Sequence, residues 1–279
     1  MPLKAKTVVQ QKRSLRDVKS TPYKSKFEKM LRWFPDRPSI ISEGDSWFDY
    51  PKGNIVDVIE QSKSPKFNIL RLENNGDEMM ELMSGKQKHG IASLLKRFSN
   101  KVDILLYSGG GNDIVGPWDM EFFLKQKTAG MGWQQCIQKQ RFNRKLLQIK
   151  TAWLDLLALR DDHSPQTIVI THGYDYPIPR DEGFTLLNFR ITGPWMYPAM
   201  KQKGIDDPDD QRQIARWMIG SLGELMKELA ADPKYREGFR VADTAGTVAD
   251  NEWADEIHPN KAGFEKVAAR VMAEINAVL

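Results

Sequence analysis

Four short stretches hold the side chains that could do chemistry together: Gly44-Asp45-Ser46, Asn74-Asn75-Gly76-Asp77, Gly110-Gly111-Asn112-Asp113 and Asp255-Glu256-Ile257-His258-Pro259. A serine hydroxyl is a weak nucleophile at neutral pH. It needs a base to take its proton, and the base needs a partner that fixes its tautomer. Histidine suits the base role because its unperturbed pKa is about 6.5. His258 is the candidate base for Ser46. Asp255 stands three residues before it, within reach of the second ring nitrogen if the loop turns. Attack on a carbonyl also builds negative charge on its oxygen, which fixed donors must face. The backbone N–H groups of Ser46 and Gly76 and the side-chain amide of Asn112 can supply them.

The elements that must carry these groups are legible as alternating apolar runs and helical periods. Ser39 to Glu43, Phe67 to Leu72, Val102 to Tyr107, Thr167 to Thr171 and Phe239 to Val241 read as five strands. Val102 to Tyr107 is apolar almost throughout, as strands covered on both faces are. Helices are expected over 24–34, 54–61 with Asn54 as N-cap, 77–83, 91–98, 141–160, 209–230 and 261–279, from apolar residues at helical spacing. The alternation predicts an α/β/α sandwich on a mostly parallel five-stranded sheet. In such sheets the site lies beyond the carboxyl ends of the strands. The stretches at Ser46, Gly76, Asn112, His172 and Asp255 each follow a predicted strand, so five loops are expected at one edge.

Two segments, about 114–135 and 178–208, lack a clean period and read as insertions over the body. A basic arm over 1–35 precedes a catalytic domain over 36–279. Residues 1–32 hold ten Lys/Arg and two Asp/Glu, about +8 within a chain of net charge +4. That imbalance predicts a solvated face or a contact with an anionic surface. Aromatic residues are sparse there (Tyr23, Phe27), which argues against nucleic acid as the partner.

The chain has 279 residues, 41% hydrophobic and 28% charged, the profile of a globular protein. No apolar run reaches the roughly 18 residues of a membrane helix. The first residues are basic without an apolar stretch behind them, which argues against a standard secretory signal. The single cysteine, Cys136, excludes an internal disulfide framework. The expected location is the cytoplasm, with export by a signal-independent route left open.

In their order, Gly44-Asp45-Ser46, Gly76, Gly110-Gly111-Asn112-Asp113 and Asp255-x-x-His258-Pro259 resemble the motif blocks of the SGNH (GDSL-type) hydrolases, spanning most of the chain. The resemblance implies a flavodoxin-like three-layer fold and hydrolysis of carboxylic esters through an acyl-enzyme, without metal or cofactor. It implies Ser46, His258 and Asp255 as catalytic residues and Ser46, Gly76 and Asn112 as the oxyanion hole. Trp47 departs from the leucine common after the serine, and the Gly76 block lacks a second glycine. The Gly109-Gly110-Gly111 run is not a P-loop, since Asn112-Asp113 stands where Gly-Lys-Ser/Thr is needed. A G-x-S-x-G elbow is absent around Ser46.

Substrate contacts are expected from Trp47, His172, Tyr174, Asp175 and Trp195. Trp118, Tyr176 and Tyr197 either line a pocket or pack the insertions down. His172 and Asp175 alone are poor evidence for a metal. Asp45 and Asp113 read as loop-fixing acceptors, Cys136 as a small buried hydrophobe, and His89 and His163 as surface. The expected substrate is a small-molecule, lipid or acetylated-glycan ester. Acyl transfer at the same site and a silent binding protein acting through the basic arm are the rival readings.

Overall fold

A computed structural model of the chain describes residues 17–63, 66–187 and 189–279. The strands are Ser20–Thr21 (β1), Ser39–Gly44 (β2), Asn68–Arg71 (β3), Ile104–Ser108 (β4) and Ile168–His172 (β5), then a separate antiparallel hairpin, Phe184–Leu186 (β6) and Phe189–Thr192 (β7), and finally Phe239–Ala242 (β8). The main sheet has the order β1-β3-β2-β4-β5-β8, and every pairing in it is parallel. The five predicted strands are all present. The sixth, β1, lies within the basic arm expected over 1–35, where two residues are too short for any periodicity to show.

Helices cover both faces, giving the three-layer α/β/α fold. Helices 55–60 and 261–278 pack together on one face, and helices 85–97, 139–163 and 208–231 cover the other. Double coverage explains why all five residues of β4 are buried. The predicted stripes face the core: Phe142, Ile149, Trp153, Leu156 and Leu157 on helix 139–163, and Phe264, Val267, Val271 and Ile275 on helix 261–278, are buried, while Leu146 and Val278 of the same stripes are partly buried. Asn54 caps helix 55–60 by accepting from the Asp57 N–H at 2.9 Å.

Residues 17–35 belong to the body rather than to an arm. Ser20 and Thr21 pair with Ile69 and Leu70, and Phe27 and Met30 of helix 24–33 are fully buried. Five of the ten cations counted over 1–32 fall in residues 1–16, which lie outside the described residues. Both insertions are more regular than expected. The first holds helix 117–123 and runs into a 3-10 turn at 133–136; the second holds the β6–β7 hairpin and helix 197–202. Cys136 is buried, as expected of a small hydrophobe. Among the described residues no helix is long and apolar enough to cross a membrane.

The two central strands meet most tightly where the site begins. Gly44 pairs with Ser108 at the ends of β2 and β4, with φ of +140°. A Cβ at this position would stand 2.3 Å from the Ser108 carbonyl oxygen. Both the backbone conformation and the contact exclude a side chain. Gly44→Ala should therefore lower the unfolding free energy in urea by about 2–4 kcal/mol. A loss below about 0.5 kcal/mol would show that the strand ends can separate without cost.

Candidate active site

The parallel sheet delivers its loops to one edge, and there the predicted residues meet. Ser46 opens a short helical turn, Ser46–Asp49, immediately after β2. The Asp45 carboxylate caps that turn by accepting from the Trp47 N–H at 3.0 Å. His258 comes from the loop between β8 and helix 261–278. Its Nε2 lies 2.7 Å from Ser46 Oγ. Its Nδ1 lies 2.9 Å from Asp255 Oδ2 and 3.0 Å from Oδ1.

The Asp255 loop is closed as a tight turn. Asp255 Oδ1 accepts from the backbone N–H groups of Ile257 and His258, and the Ala254 N–H reaches the His258 carbonyl at 2.8 Å. Pro259 bridges to Trp253, and Asn260 caps the following helix. Burial opposes the Asp255 charge. The hydrogen bond and charge of His258, the Ile257 N–H and the Tyr50 hydroxyl outweigh it and hold the carboxyl below its ordinary range. Tyr50 donates to Asp255 Oδ2 at 2.8 Å, and its ring stacks on the His258 imidazole at 4.3 Å and 18°. The imidazole is thus held from one edge by the carboxylate and from one face by a phenol.

Gly76 and Asn112 lie beside Ser46 in the same cavity, which has a volume of about 350 Å³. The Asn112 amide donates one of its two hydrogens to the Asp77 carbonyl at 3.0 Å. Asp113 is buried and accepts from the Met79 and Met80 N–H groups. Asn112 and Asp113 therefore hold the loop that presents Gly76. The glycine at 76 is required by its φ of +87° and not by crowding, because a Cβ there would meet no protein atom within 4 Å.

Of the five expected substrate contacts, Trp195 lines the cavity, with its ring edge-on to His258 at 5.4 Å. Trp47, His172, Tyr174 and Asp175 are buried behind it. Asp45 is the centre of the first three. It accepts from the hydroxyls of Ser108 and Tyr174 as well as from the Trp47 N–H. His172 Nδ1 accepts from the Tyr174 N–H at 3.2 Å, which places its proton on Nε2, 2.9 Å from Ser108 Oγ. Trp47 stacks on the His172 ring at 5.2 Å and 20°. Burial pushes His172 down to about 3, so the ring stays neutral. Asp175 is saturated by the N–H groups of Tyr176, Gly246 and Val248. His172 and Asp175 are thus committed to the loops they hold. Among the described residues no group of His, Cys, Asp and Glu has the arrangement of a metal site. Trp118 is 85% exposed on its helix and is not part of the Ser46 cavity lining.

Tyr50 and Glu256 carry no motif signal, yet both shape the site. Glu256, between Asp255 and His258, is fully buried and accepts from the N–H groups of Trp195, Met196 and Tyr197. Burial pushes its carboxyl up to about 7 against the pull of those donors. Through this contact the second insertion is tied to the histidine loop. Tyr50, Pro51, Phe184, Ile191, Thr192 and Ile257 complete a largely apolar wall. The only early hint of Tyr50 is its place four residues after Ser46, at the end of the turn that Ser46 opens.

No family model matches the chain, and no curated protein matches it. Solved structures do share the fold. A lipase, Lip_vut3, from a goat rumen metagenome aligns with a TM-score of 0.55 at 16% identity, covering 85% of this chain and 96% of that one. Phospholipase A1 from Streptomyces albidoflavus NA297 gives 0.52 at 14% identity, covering 85% and 99%. An extracellular lipase from Streptomyces rimosus gives 0.52 at 13% identity, with the same coverage. At these identities the likeness is one of fold, the three-layer architecture that the resemblance to SGNH hydrolases implied.

The neutrality of His172 sets a pH dependence. Its folded value near 3 lies below the ordinary 6.5, so between those limits the unfolded chain binds one more proton. Stability from this group is complete above 6.5 and is lost as pH falls toward 3. His172→Gln keeps an acceptor and a donor but does not titrate. The difference in unfolding free energy between the native chain and this variant should grow by about 1.4 kcal/mol per pH unit from pH 4 to 6. A flat difference would show that the folded ring protonates freely.

Proposed function

We propose that the chain is a serine hydrolase that cleaves carboxylic esters through an acyl-enzyme. The observation that carries this is the continuous chain from Ser46 Oγ through His258 to Asp255, with links of 2.7 Å and 2.9 Å, opening on a cavity that Asn112 also lines. Ser46 Oγ attacks the ester carbonyl, and its proton passes to His258 Nε2. Asp255 keeps the other ring proton on Nδ1 and stabilises the imidazolium that forms. The oxyanion is held by the N–H groups of Ser46 and Gly76 and by the other amide hydrogen of Asn112. Collapse of this intermediate breaks the ester C–O bond, and the alcohol leaves with the proton from His258. Water, deprotonated by the same nitrogen, then attacks the acyl-Ser46, and the acid departs as Ser46 regains its proton. Support from outside the chain is at the level of fold: the similar structures include proteins described as lipases and a phospholipase A1.

The apolar wall of Tyr50, Pro51, Phe184, Ile191 and Trp195 favours an uncharged acyl group over an acid or a sugar rich in hydroxyls. Tyr50 acts through Asp255. Its hydroxyl is pushed above the ordinary tyrosine value, by burial first and then by the Asp255 charge beside it, so it remains a donor.

With a short p-nitrophenyl ester, Ser46→Ala should lower kcat by at least about 10³-fold while leaving the thermal transition in place. Full residual turnover would remove Ser46 from the reaction. Asn112→Ala should lower kcat by about 10²–10³-fold with KM little changed, because its donor is needed chiefly in the transition state. A change confined to KM would make Asn112 a ground-state contact and leave the oxyanion to backbone donors.

A further inference from the structure

The β6–β7 hairpin exposes a cluster of apolar side chains. Among the described residues nine large hydrophobic side chains are exposed, and four of them fall within residues 186–191: Leu186 (54%), Leu187 (83%), Phe189 (73%) and Ile191 (59%). Isolated exposed hydrophobes are ordinary, but a cluster on one small element marks a surface with a partner. Turn tips normally take Gly, Asn, Asp or Ser. Here Leu187 stands at a φ of +50°, in the left-handed region that asparagine or glycine fills with less strain. Neither burial nor backbone geometry calls for a leucine there.

The same hairpin is a wall of the catalytic cavity. Phe184, Ile191 and Thr192 face the space above Ser46, and Ile191 is both a cavity residue and part of the exposed cluster. The apolar surface is therefore continuous from the hairpin tip into the site. Charge around it is nearly balanced: Arg190 pairs with Asp181 at 2.9 Å and Arg180 with Glu182 at 2.8 Å. Lys52 makes no ion pair among the described residues. Its ammonium lies over the Phe184 ring at 5.2 Å and within 3.4 Å of the Thr185 hydroxyl, beside the cavity wall.

We propose that this hairpin seats the protein on a zwitterionic phospholipid surface. Leu186, Leu187, Phe189 and Ile191 enter the acyl boundary, and Lys52 meets a headgroup phosphate. One exposed cation among paired charges suits a surface with no net charge, so apolar insertion rather than electrostatic attraction supplies the affinity. The seating brings an acyl ester to the mouth of the cavity along continuous apolar surface. The proposal rests on the ester-cleaving reading for its purpose, but vesicle binding is measurable without turnover.

The test is flotation with phosphatidylcholine vesicles, alongside hydrolysis of a water-soluble short p-nitrophenyl ester. The Leu187→Asn, Phe189→Thr double variant suits the backbone at both positions and replaces no residue that lines the cavity. It should bind vesicles at least about tenfold more weakly than the native chain, with soluble-ester turnover within about twofold. Ser46→Ala should float as the native chain does. Vesicle binding that persists in the double variant would overturn the proposal, as would a native chain that hydrolyses the soluble ester but does not float. Binding that needs anionic lipid and disappears in salt would overturn it in favour of a charge contact. Lipid-free sedimentation showing a dimer broken by the same double variant, with no flotation, would assign the patch to a second copy of this chain. Flotation by a native chain with no Ser46-dependent hydrolysis would leave the docking standing and remove the esterase reading.

Discussion

One buried carboxylate organises the site. Asp45 joins the carboxyl ends of three parallel strands: it follows β2 directly, takes the Ser108 hydroxyl at the end of β4, and takes the Tyr174 hydroxyl just beyond β5. It also caps the turn that presents Ser46. Burial raises its pKa, and the Tyr174, Ser108 and Trp47 donors work against that rise. A group so fully surrounded by donors has one low-energy arrangement, since leaving any buried donor or acceptor unmatched costs about 1–3 kcal/mol. The position of Ser46 is inherited from that arrangement. His172 belongs to the same network as a neutral donor, held between the Ser108 hydroxyl and the Tyr174 N–H.

A second set of contacts ties separate loops to one another rather than to the sheet. Asn112 and Asp113 both reach into residues 77–80, so the Asn112 loop and the Gly76 loop are a single unit. Glu256 does the same for the histidine loop and the second insertion, through the N–H groups at Trp195, Met196 and Tyr197. The insertion is thereby made part of the site. It supplies Phe184, Ile191, Thr192 and Trp195 to the cavity wall, and its hairpin extends that wall outward. Tyr50, bonded to Asp255 and stacked on His258, closes the arrangement from the Ser46 side.

The residues that meet at Ser46 come from positions up to 212 apart in the chain, the separation of Ser46 and His258. Their types and order were legible because each stands at the end of an apolar run, and parallel pairing sends all such ends to one edge. The strands and long helices were legible for the related reason that periodicity records which face is buried. Where periodicity had too few residues to act on, it failed. The two-residue β1 was read as part of an arm, helix 85–97 begins six residues before its apolar stripe, and the helices and hairpin of both insertions had no readable period.

Residue type alone determined that this chain has a parallel α/β core and which hydroxyl, imidazole, carboxylate and amide are brought to its edge, because strand ends and turn residues are local properties. Tertiary structure decided which neighbours of those groups face the cavity and which hold it from behind. Trp47, His172 and Tyr174 stand next to strand ends just as Ser46 does, yet they are turned into the packing around Asp45, while Asp175 is held by the N–H groups of Tyr176, Gly246 and Val248. Tyr50, Glu256 and the hairpin residues carry no local mark and became part of the site only through contacts made across the fold. Burial and hydrogen-bond satisfaction depend on what arrives from elsewhere in the chain, and no window of sequence contains that information.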